Sequence, residues 1–391
     1  MHLHSTPTIP TGSPTAPRPG REAVSPIPAS RPDRLAVVDA ARGLALLLMV
    51  LDHGAVFASV NVNAETYVNR APAFWGPGWF ATGLLTNLSA PLFWCLAGTS
   101  VAFLARRDRR PWTTDRFLLV RAAVLVLLDQ FVMPPEWTPW RMPRYVPEFE
   151  LLSTLAAALL LMIPLRRLPD RALALLTALL LAGHVLLDRL VPQAALERLP
   201  ALARLWVTFD RTHSPTVSFP VLGWLPLMTL GLLIGRRMAD GRWLRPGPIV
   251  RLALGGLALG LAVRLADPGW RSGGGLEAFL AMRKGPPGLD YLAVNLSVGL
   301  LLMGAYMAVR PAAGRAPWSW LIALGQAPLF LFVVHLPVLY LWAHELKRVL
   351  PHPGPWHYAL TCAAALATLL PMARGYRGLK QRHPTGPLHY L

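Results

Sequence analysis

LAVVDAARGLALLLMVLDHGAV, residues 35 to 56, is the stretch that decides the fold. It is apolar over about 20 residues, the length that a helix needs to cross a bilayer. It nevertheless carries Asp39 and Arg42 near one end and Asp52 and His53 near the other. A charge at bilayer depth costs about 3 kcal/mol or more, so such side chains usually face a bundle interior and mark a ligand path, a proton relay or an ion pair. The stretch predicts a membrane-spanning helix that bears functional residues.

Similar apolar runs recur along the chain. Of the 391 residues 54% are hydrophobic and 15% charged, a composition typical of polytopic membrane proteins. We predict an all-α integral membrane bundle of about ten helices. The predicted spans are 35 to 56, 79 to 105, 116 to 133, 150 to 166, 171 to 191, 218 to 236, 247 to 266, 288 to 310, 317 to 345 and 357 to 374.

Basic residues predict how the bundle is oriented. The formal net charge is +18, and the Lys and Arg side chains concentrate in alternate loops, most densely in RRDRR at 106 to 110 and GRRMADGRWLR at 235 to 245. Cytoplasmic loops carry this excess, so both termini should be cytoplasmic in a multi-pass protein of the plasma (inner) membrane. The basic residues lack the aromatic interleaving of a nucleic-acid-binding surface, and no nucleic acid is expected as a partner.

The chain divides into one membrane domain and two tails. Residues 1 to 33 are rich in Pro, Ser and Thr and should form a disordered cytoplasmic tail. The membrane domain is expected over 34 to 376, and a basic cytoplasmic tail over 377 to 391. Cys95 and Cys362 fall inside apolar spans, which indicates packing residues, and no metal-ligand spacing is present.

Polar side chains gather at one level of the predicted bundle. With a rise of about 1.5 Å per residue, His53 and His335 each lie some 18 residues above the inner end of their spans. Asn87, Asn295 and Asp129 fall in the same external half. A position at the membrane–water interface would also explain these residues. His335, however, lies in an otherwise unbroken apolar run, where an imidazole without a function is not expected. We predict that His53 and His335 share a buried chamber, with Asp52, Asn87 and Asn295 as further catalytic candidates.

The inner half holds a second group. Asp39 and Arg42 share a helix face at spacing i, i+3, which fits either a structural ion pair or an anion site. Arg121, one turn inside the third span, could join them, because guanidinium groups bind phosphates bidentately. These three residues are the candidates for binding a phosphorylated ligand.

Five segments in order resemble a known family. They are RLAVVDAARGLALLLMVLDH at 34 to 53, LLTNLSAPLFWCLAGTSVAFLARR at 84 to 107, SFPVLGWLPLMTLGLLIGR at 218 to 236, GPPGLDYLAVNLSVGLLLMGAY at 285 to 306 and LGQAPLFLFVVHLPVLYL at 324 to 341. They are similar to the bacterial membrane proteins related to the catalytic domain of heparan-alpha-glucosaminide N-acetyltransferase. The matching motif positions are Asp39, Arg42, Gly43, Asp52, His53, Asn87, Ala90, Pro91, Pro286, Pro287, Pro328 and His335.

The resemblance implies a transmembrane acyltransferase. Acetyl-CoA would approach from the cytoplasm as acyl donor, and the acetyl group would pass to a glycan or other amine or hydroxyl acceptor on the far side. One departure is clear: the lysosomal enzyme of this family has Asn where His53 stands and its active His in the following loop, whereas this chain has no His from 54 to 183. The catalytic role is therefore not carried over directly.

Three functions remain open from the sequence. In an acetyltransferase, the phosphates of acetyl-CoA would lie near Arg42 and Arg121, His53 would act as base or nucleophile, and Asn87 or Asn295 would donate to the developing oxyanion. A proton-coupled small-molecule transporter would use the same Asp and His residues as a relay. A non-enzymatic membrane scaffold leaves the intramembrane charges without a purpose. A homodimer is compatible with each of these functions.

Overall fold

A computed structural model describes residues 31 to 68, 70 to 107, 110 to 134, 147 to 309, 318 to 383 and 390. The predicted tail over 1 to 33 lies almost entirely outside these residues. Within them the helices are α1 (Arg31–Phe57), α2 (Pro77–Thr86), α3 (Ser89–Arg107), α4 (Pro111–Phe131), α5 (Leu151–Leu165), α6 (Asp170–Leu190), α7 (Gln193–Glu197), α8 (Ala201–Val207), α9 (Val221–Ala239), α10 (Pro246–Ala266), α11 (Gly269–Gly273), α12 (Gly275–Leu280), α13 (Leu289–Val309), α14 (Trp318–Gly325), α15 (Pro328–Lys347) and α16 (Pro355–Arg382). The last helix therefore runs into the predicted basic tail.

Eight helices of the described chain are long and apolar enough to cross a membrane. They are Ala36–Phe57, Pro77–Arg107, Asp170–Leu190, Val221–Ala239, Pro246–Ala266, Leu289–Val309, Pro328–Lys347 and Pro355–Arg382. The prediction of a polytopic helical membrane protein is confirmed. Two further helices coincide with the third and fourth predicted spans: α4 carries Asp115, Arg116, Arg121 and Asp129 along its length, and α5 has only 15 residues. The count of ten therefore stays a prediction.

The predicted ninth span, 317 to 345, is wrong as a single helix. The chain forms α14 and α15, with Gln326 and Ala327 between them. Pro328 has no N–H to donate to the preceding turn, and its ring disfavours helical geometry at Ala327. The depth of His335 therefore does not follow from the rise of one continuous helix, although His335 does lie inside the bundle.

The short helix α14 packs tightly against α1. A Cβ atom on Gly43 would overlap the carbonyl of Leu321, and one on Gly325 would overlap the carbonyl of Asp39. Small residues allow this direct backbone approach in lipid, where packing rather than hydrophobicity joins helices. This close contact fixes the position of α1 relative to α14, and α1 carries most of the candidate site residues.

Three two-stranded ribbons form in the connections beyond the C-terminal end of α1. β1 (Val62–Asn63) pairs antiparallel with β3 (Ala73–Phe74). β2 (Thr66–Tyr67) pairs parallel with β6 (Arg283–Gly285), and β4 (Glu148–Phe149) pairs parallel with β5 (Thr216–Val217). The β2–β6 ribbon joins the connection after α1 to the start of α13 and so brings distant residues to one place.

A buried ion pair joins α8 to the connection between α8 and α9. Arg204 and Asp210 are 4% and 1% exposed and form a salt bridge. Burial alone would raise the pKa of Asp210, but backbone and hydroxyl donors of Thr212, the Arg204 guanidinium and the His213 N–H together lower it to about 2. The ionised carboxylate is therefore the form that the folded loop stabilises.

Asp210→Asn should destabilise the protein by about 3 kcal/mol near neutral pH, because it leaves the Arg204 guanidinium buried without its counter-charge. Since the folded pKa lies below that of an unfolded Asp, about 3.9, the stabilisation is present above pH 4 and is lost as the pH falls toward 2. Thermal unfolding in detergent should show the wild-type advantage shrinking over that interval. Asp240→Asn, which removes an exposed pair with Arg106, is the matched control and should change stability by less than about 1 kcal/mol.

Candidate active site

One face of α1 lines a cavity of about 830 Å³. Its residues on this helix are Arg42, Ala45, Leu46, Met49, Asp52 and His53, which recur at the spacing of a single helical face. The remaining lining residues are Ser89, Ala90, Phe93, Asp129, Met133, Glu150, Leu151, Phe219, Lys284, Pro328 and Phe332. The cavity therefore runs along α1 from a guanidinium at one end to an imidazole at the other, about 16 Å away by helical rise.

The structure brings the two predicted histidines into contact. Nδ1 of His53 lies 2.7 Å from Nε2 of His335, and the ring centroids are 5.0 Å apart. His335 is fully buried, whereas His53 lines the cavity. The break before α15 does not prevent this contact.

Hydrogen bonding defines the tautomers of the neutral pair. His335 Nδ1 lies 2.5 Å from the carbonyl oxygen of Phe332, which can only accept, so this nitrogen carries the proton. His335 Nε2 is then the acceptor, and the N–H at His53 Nδ1 must donate to it. The lone pair of His53 consequently resides on Nε2. An imidazole oriented by a second group in this way is the usual arrangement of a base or nucleophile.

Asp52 lies beside this nitrogen. Its Oδ2 is 3.8 Å from His53 Nε2, and its Oδ1 accepts a hydrogen bond of 2.8 Å from the Thr86 hydroxyl. The carboxylate is therefore held by a neighbouring helix at a distance that allows electrostatic interaction but not a hydrogen bond. It can stabilise positive charge on His53 or on a group that binds between them.

Lys284 is a cavity residue that the sequence analysis missed. It belongs to β6, and its Nζ lies 3.3 Å from Oε1 of Glu65, which also accepts from the Tyr67 hydroxyl at 3.0 Å. Burial alone would lower the pKa of Lys284, but Glu65, with smaller contributions from Tyr67 and Asp52, holds it well above its usual value. A charged ammonium thus lies in the cavity wall. The GPPG sequence at 285 to 288, directly after Lys284, is the one sequence signal that could have drawn attention to this residue.

The opposite end of the cavity is cationic. Arg42 donates to Asp39 at 2.7 Å and to the Ser100 hydroxyl at 2.6 Å. The ion pair predicted from the i, i+3 spacing is present, and Arg42 also lines the cavity. Arg121 does not line it; its guanidinium donates to the Tyr390 carbonyl at 2.8 Å.

The two candidate asparagines lie outside the cavity lining and contact opposite ends of Tyr291. Nδ2 of Asn295 donates to the Tyr291 carbonyl at 2.9 Å, and the Tyr291 hydroxyl donates to the backbone carbonyl of Asn87 at 3.2 Å. Oδ1 of Asn87 is buried without a partner among the described residues. Their oxyanion role stays a prediction.

Asp129 reaches the cavity but is bound to the backbone. It accepts from the N–H groups of Glu150, Leu152 and Ser153 at 3.1 to 3.3 Å and so caps the start of α5. This structural role accounts for a carboxylate that the sequence analysis had placed among the polar residues of the external half.

Fold and site together define a polytopic membrane protein in which the buried ring of His335 contacts His53 at one end of a cavity within the helix bundle. The family model described as heparan-alpha-glucosaminide N-acetyltransferase, catalytic, matches residues 34 to 256, more than half of the chain, and the protein belongs to this family of transferase-type membrane enzymes. The matched range includes His53 and ends before Lys284 and His335. A comparison with curated proteins found no match.

Proposed function

We propose that the protein is an acetyltransferase of the plasma (inner) membrane that takes its acetyl group from cytoplasmic acetyl-CoA. The acceptor is an amine or hydroxyl of a glycan or small molecule reaching the site from the external side. The observation that carries this proposal is the cavity along α1, with Arg42 at one end and the His53–His335 pair at the other. In this topology the chain crosses the membrane ten times, and both termini are cytoplasmic.

The donor end fits an anionic, elongated ligand. Arg42 supplies a guanidinium held in place by Asp39 and Ser100, and guanidinium suits phosphate oxygens. The next residues of α1 that line the cavity are Ala45, Leu46 and Met49, which form an apolar wall suited to a pantetheine arm. The separation of about 16 Å between Arg42 and His53 allows the thioester to lie near the imidazole while the phosphates stay at the inner end. Arg121 would add positive charge near this end.

At the reaction end, Nε2 of His53 is the reacting atom. As a general base it takes the proton of the acceptor N–H or O–H while the acceptor attacks the thioester carbonyl; the C–S bond breaks, and the departing thiolate receives the proton. As a nucleophile it forms the N–C bond itself while the C–S bond breaks and the thiolate leaves; the acceptor then attacks the acetyl carbonyl, the N–C bond breaks, and the proton of the acceptor passes through Nε2 to the thiolate. In both cases His335 accepts the Nδ1–H bond and stabilises the charged ring.

Fixed charges around His53 complete the proposal. The Asp52 carboxylate, 3.8 Å from Nε2, stabilises the imidazolium that forms when His53 takes a proton. The Lys284 ammonium lies in the wall of the same cavity and can offset negative charge on the carbonyl oxygen in the transition state. Asn87 and Asn295 are the other proposed donors.

The decisive assay is transfer of radiolabel from acetyl-CoA in membranes that contain the protein, tested against a panel of sugars and lipid-linked glycans. Labelled product that depends on the protein supports the proposal. Uptake or efflux of a solute by purified protein in liposomes without any acyl-CoA, together with no labelled product, would favour the transporter instead.

Arg42→Ala should raise KM for acetyl-CoA by about 10-fold to 100-fold and change kcat less, because a charge-assisted contact is worth about 1.5 to 3 kcal/mol. Steady-state kinetics in membranes would measure both constants. Arg106→Ala is the matched control, since this Arg is 70% exposed and does not line the cavity. An unchanged KM in the Arg42 variant would contradict the placement of the donor phosphates.

A further inference from the structure

A second cavity, of about 980 Å³, lies on the other side of the β2–β6 ribbon. Side chains alternate across a strand, so Lys284 faces the first cavity and its neighbour Arg283 the second. The lining of the second cavity comprises Thr66, His184, Val185, Asp188, Arg189, Val263, Arg264, Asp267, Arg283, Pro287, Gly288, Leu289 and Asp290. Apart from Thr66 and Arg283 on the ribbon, these residues come from the C-terminal ends of α6 and α10 and from the chain at the start of α13, at the same end of the bundle as His53.

The lining of this cavity carries three carboxylates and three guanidiniums. Arg283 forms a salt bridge with Asp188, and Arg264 lies 3.2 Å from Asp267 and 3.4 Å from Asp290. The three carboxylates thus pair with two guanidiniums, and Arg189 is the third guanidinium of the lining. Arg264 also donates to three backbone carbonyls, which fixes it in place. The carboxylates retain capacity to bind a cation.

His184 adds a hydrogen-bond acceptor that has no donor. It is 5% exposed, and its Nε2 lies 2.8 Å from the carbonyl oxygen of Pro287, so the proton of the neutral ring is on Nε2. Nδ1 is then an acceptor, and it is buried with no partner in the described part of the chain. A buried acceptor without a partner costs about 1 to 3 kcal/mol, which a bound N–H or O–H group would recover.

The third guanidinium of the lining, that of Arg189, has no counter-charge among the described residues. Arg189 is exposed, and within the described ranges no ion pair or hydrogen bond engages it. It lies near the end of α6, at the depth where a spanning helix meets lipid headgroups. An exposed guanidinium at this level suits a phosphate.

The helices on both sides of the cavity face lipid. α6 and α10 are among the least buried of the candidate spans, with 17% and 22% of their apolar windows inside the bundle. Leu186 and Leu190 on α6 and Leu259 and Leu265 on α10 are all at least half exposed. Acyl chains would therefore lie directly below a headgroup held in the cavity.

We propose that this cavity binds the headgroup of a phospholipid that carries a phosphoethanolamine zwitterion. The primary ammonium would donate to His184 Nδ1 and to the carboxylates of Asp188 and Asp290, and the phosphate would bind Arg189. A choline headgroup has no N–H to donate, and a glycerol headgroup has no cation. This inference does not depend on acetyl transfer, because it concerns a different cavity and a binding readout.

The test uses purified full-length protein in detergent and three lipids with identical acyl chains, carrying ethanolamine, choline or glycerol headgroups. Binding is measured by native mass spectrometry and by the rise in Tm as each lipid is added. Ethanolamine lipid should bind at least about 10-fold more tightly than the other two. Equal affinity for all three would overturn the proposal.

Two variants and a soluble competitor sharpen the test. Arg189→Ala should weaken binding of the ethanolamine lipid by about 10-fold. Arg198→Ala, which alters an exposed Arg at the same end of the bundle, should leave the binding affinity unchanged. Excess soluble phosphoethanolamine should displace the lipid only weakly. An unchanged affinity in the Arg189 variant, or tighter binding of the soluble zwitterion than of the lipid, would overturn the lipid assignment.

Discussion

His53→Ala should reduce acetyl transfer by about 10²-fold to 10⁴-fold, the usual contribution of a positioned acid–base group. The variant removes the nitrogen on which the hydrogen-bond chain through His335 and the Phe332 carbonyl places the lone pair. The radiolabel assay in membranes would measure the loss, with the amount of folded protein checked by size-exclusion chromatography in detergent. His352→Ala, which alters an exposed loop residue, is the control and should keep the wild-type rate.

His335 permits a graded version of the same experiment. His335→Ala leaves the His53 Nδ1–H without its acceptor, whereas the carbonyl oxygen of Gln in His335→Gln can still accept that hydrogen bond. The Gln variant should therefore retain more activity than the Ala variant. Transfer at the wild-type rate by His53→Ala would remove the catalytic assignment of both histidines.

Gly43→Val should prevent stable folding or lower stability by about 3 kcal/mol or more, the upper range for overpacking a tight contact. Any side chain here must enter the space of the Leu321 carbonyl, which is backbone and cannot move aside without displacing α14. Thermal unfolding of the detergent-purified protein would measure the effect, and the yield of monodisperse protein would reveal complete misfolding.

Gly183→Val on α6 is the matched control. A Cβ at that position meets nothing within 4 Å, so only the modest helix-propensity difference between the two residues is expected. If the Gly43 and Gly183 variants unfolded at the same temperature, the close α1–α14 crossing would be wrong.

Much of the architecture could be predicted from the sequence because lipid imposes long apolar helices. The juxtaposition of His53 and His335 was also predictable, since an imidazole in an apolar run needs a partner at its own depth. The predicted spans at 116 to 133 and 150 to 166 stay predictions. α4 carries four ionisable residues and α5 has only 15 residues, so these two helices lack the long apolar run of α1.

The missed features depend on contacts that no linear pattern encodes. Lys284 reaches the cavity because β6 pairs with β2, more than 200 positions away in the chain, and strands of two or three residues leave no periodic signal. Arg121 was grouped with Arg42 by depth; its guanidinium donates to the Tyr390 carbonyl and does not line the cavity, so its role in binding a phosphorylated ligand stays a prediction. Depth can be counted along a helix, whereas the direction of a side chain around it depends on neighbours that are known only after folding.

The spacing of Arg42 and His53 also constrains how α1 can vary. Eleven residues correspond to about three turns, which is why both side chains open into one cavity. One residue added between them would turn the imidazole by about 100° away from its partner on α15, while the guanidinium stayed where it is. Only a gain or loss of three or four residues keeps both groups on the same side, and each such step alters the reach between them by about 5 Å. The distance between the two groups and the phase of the helix are therefore coupled in this protein, and neither can be changed alone.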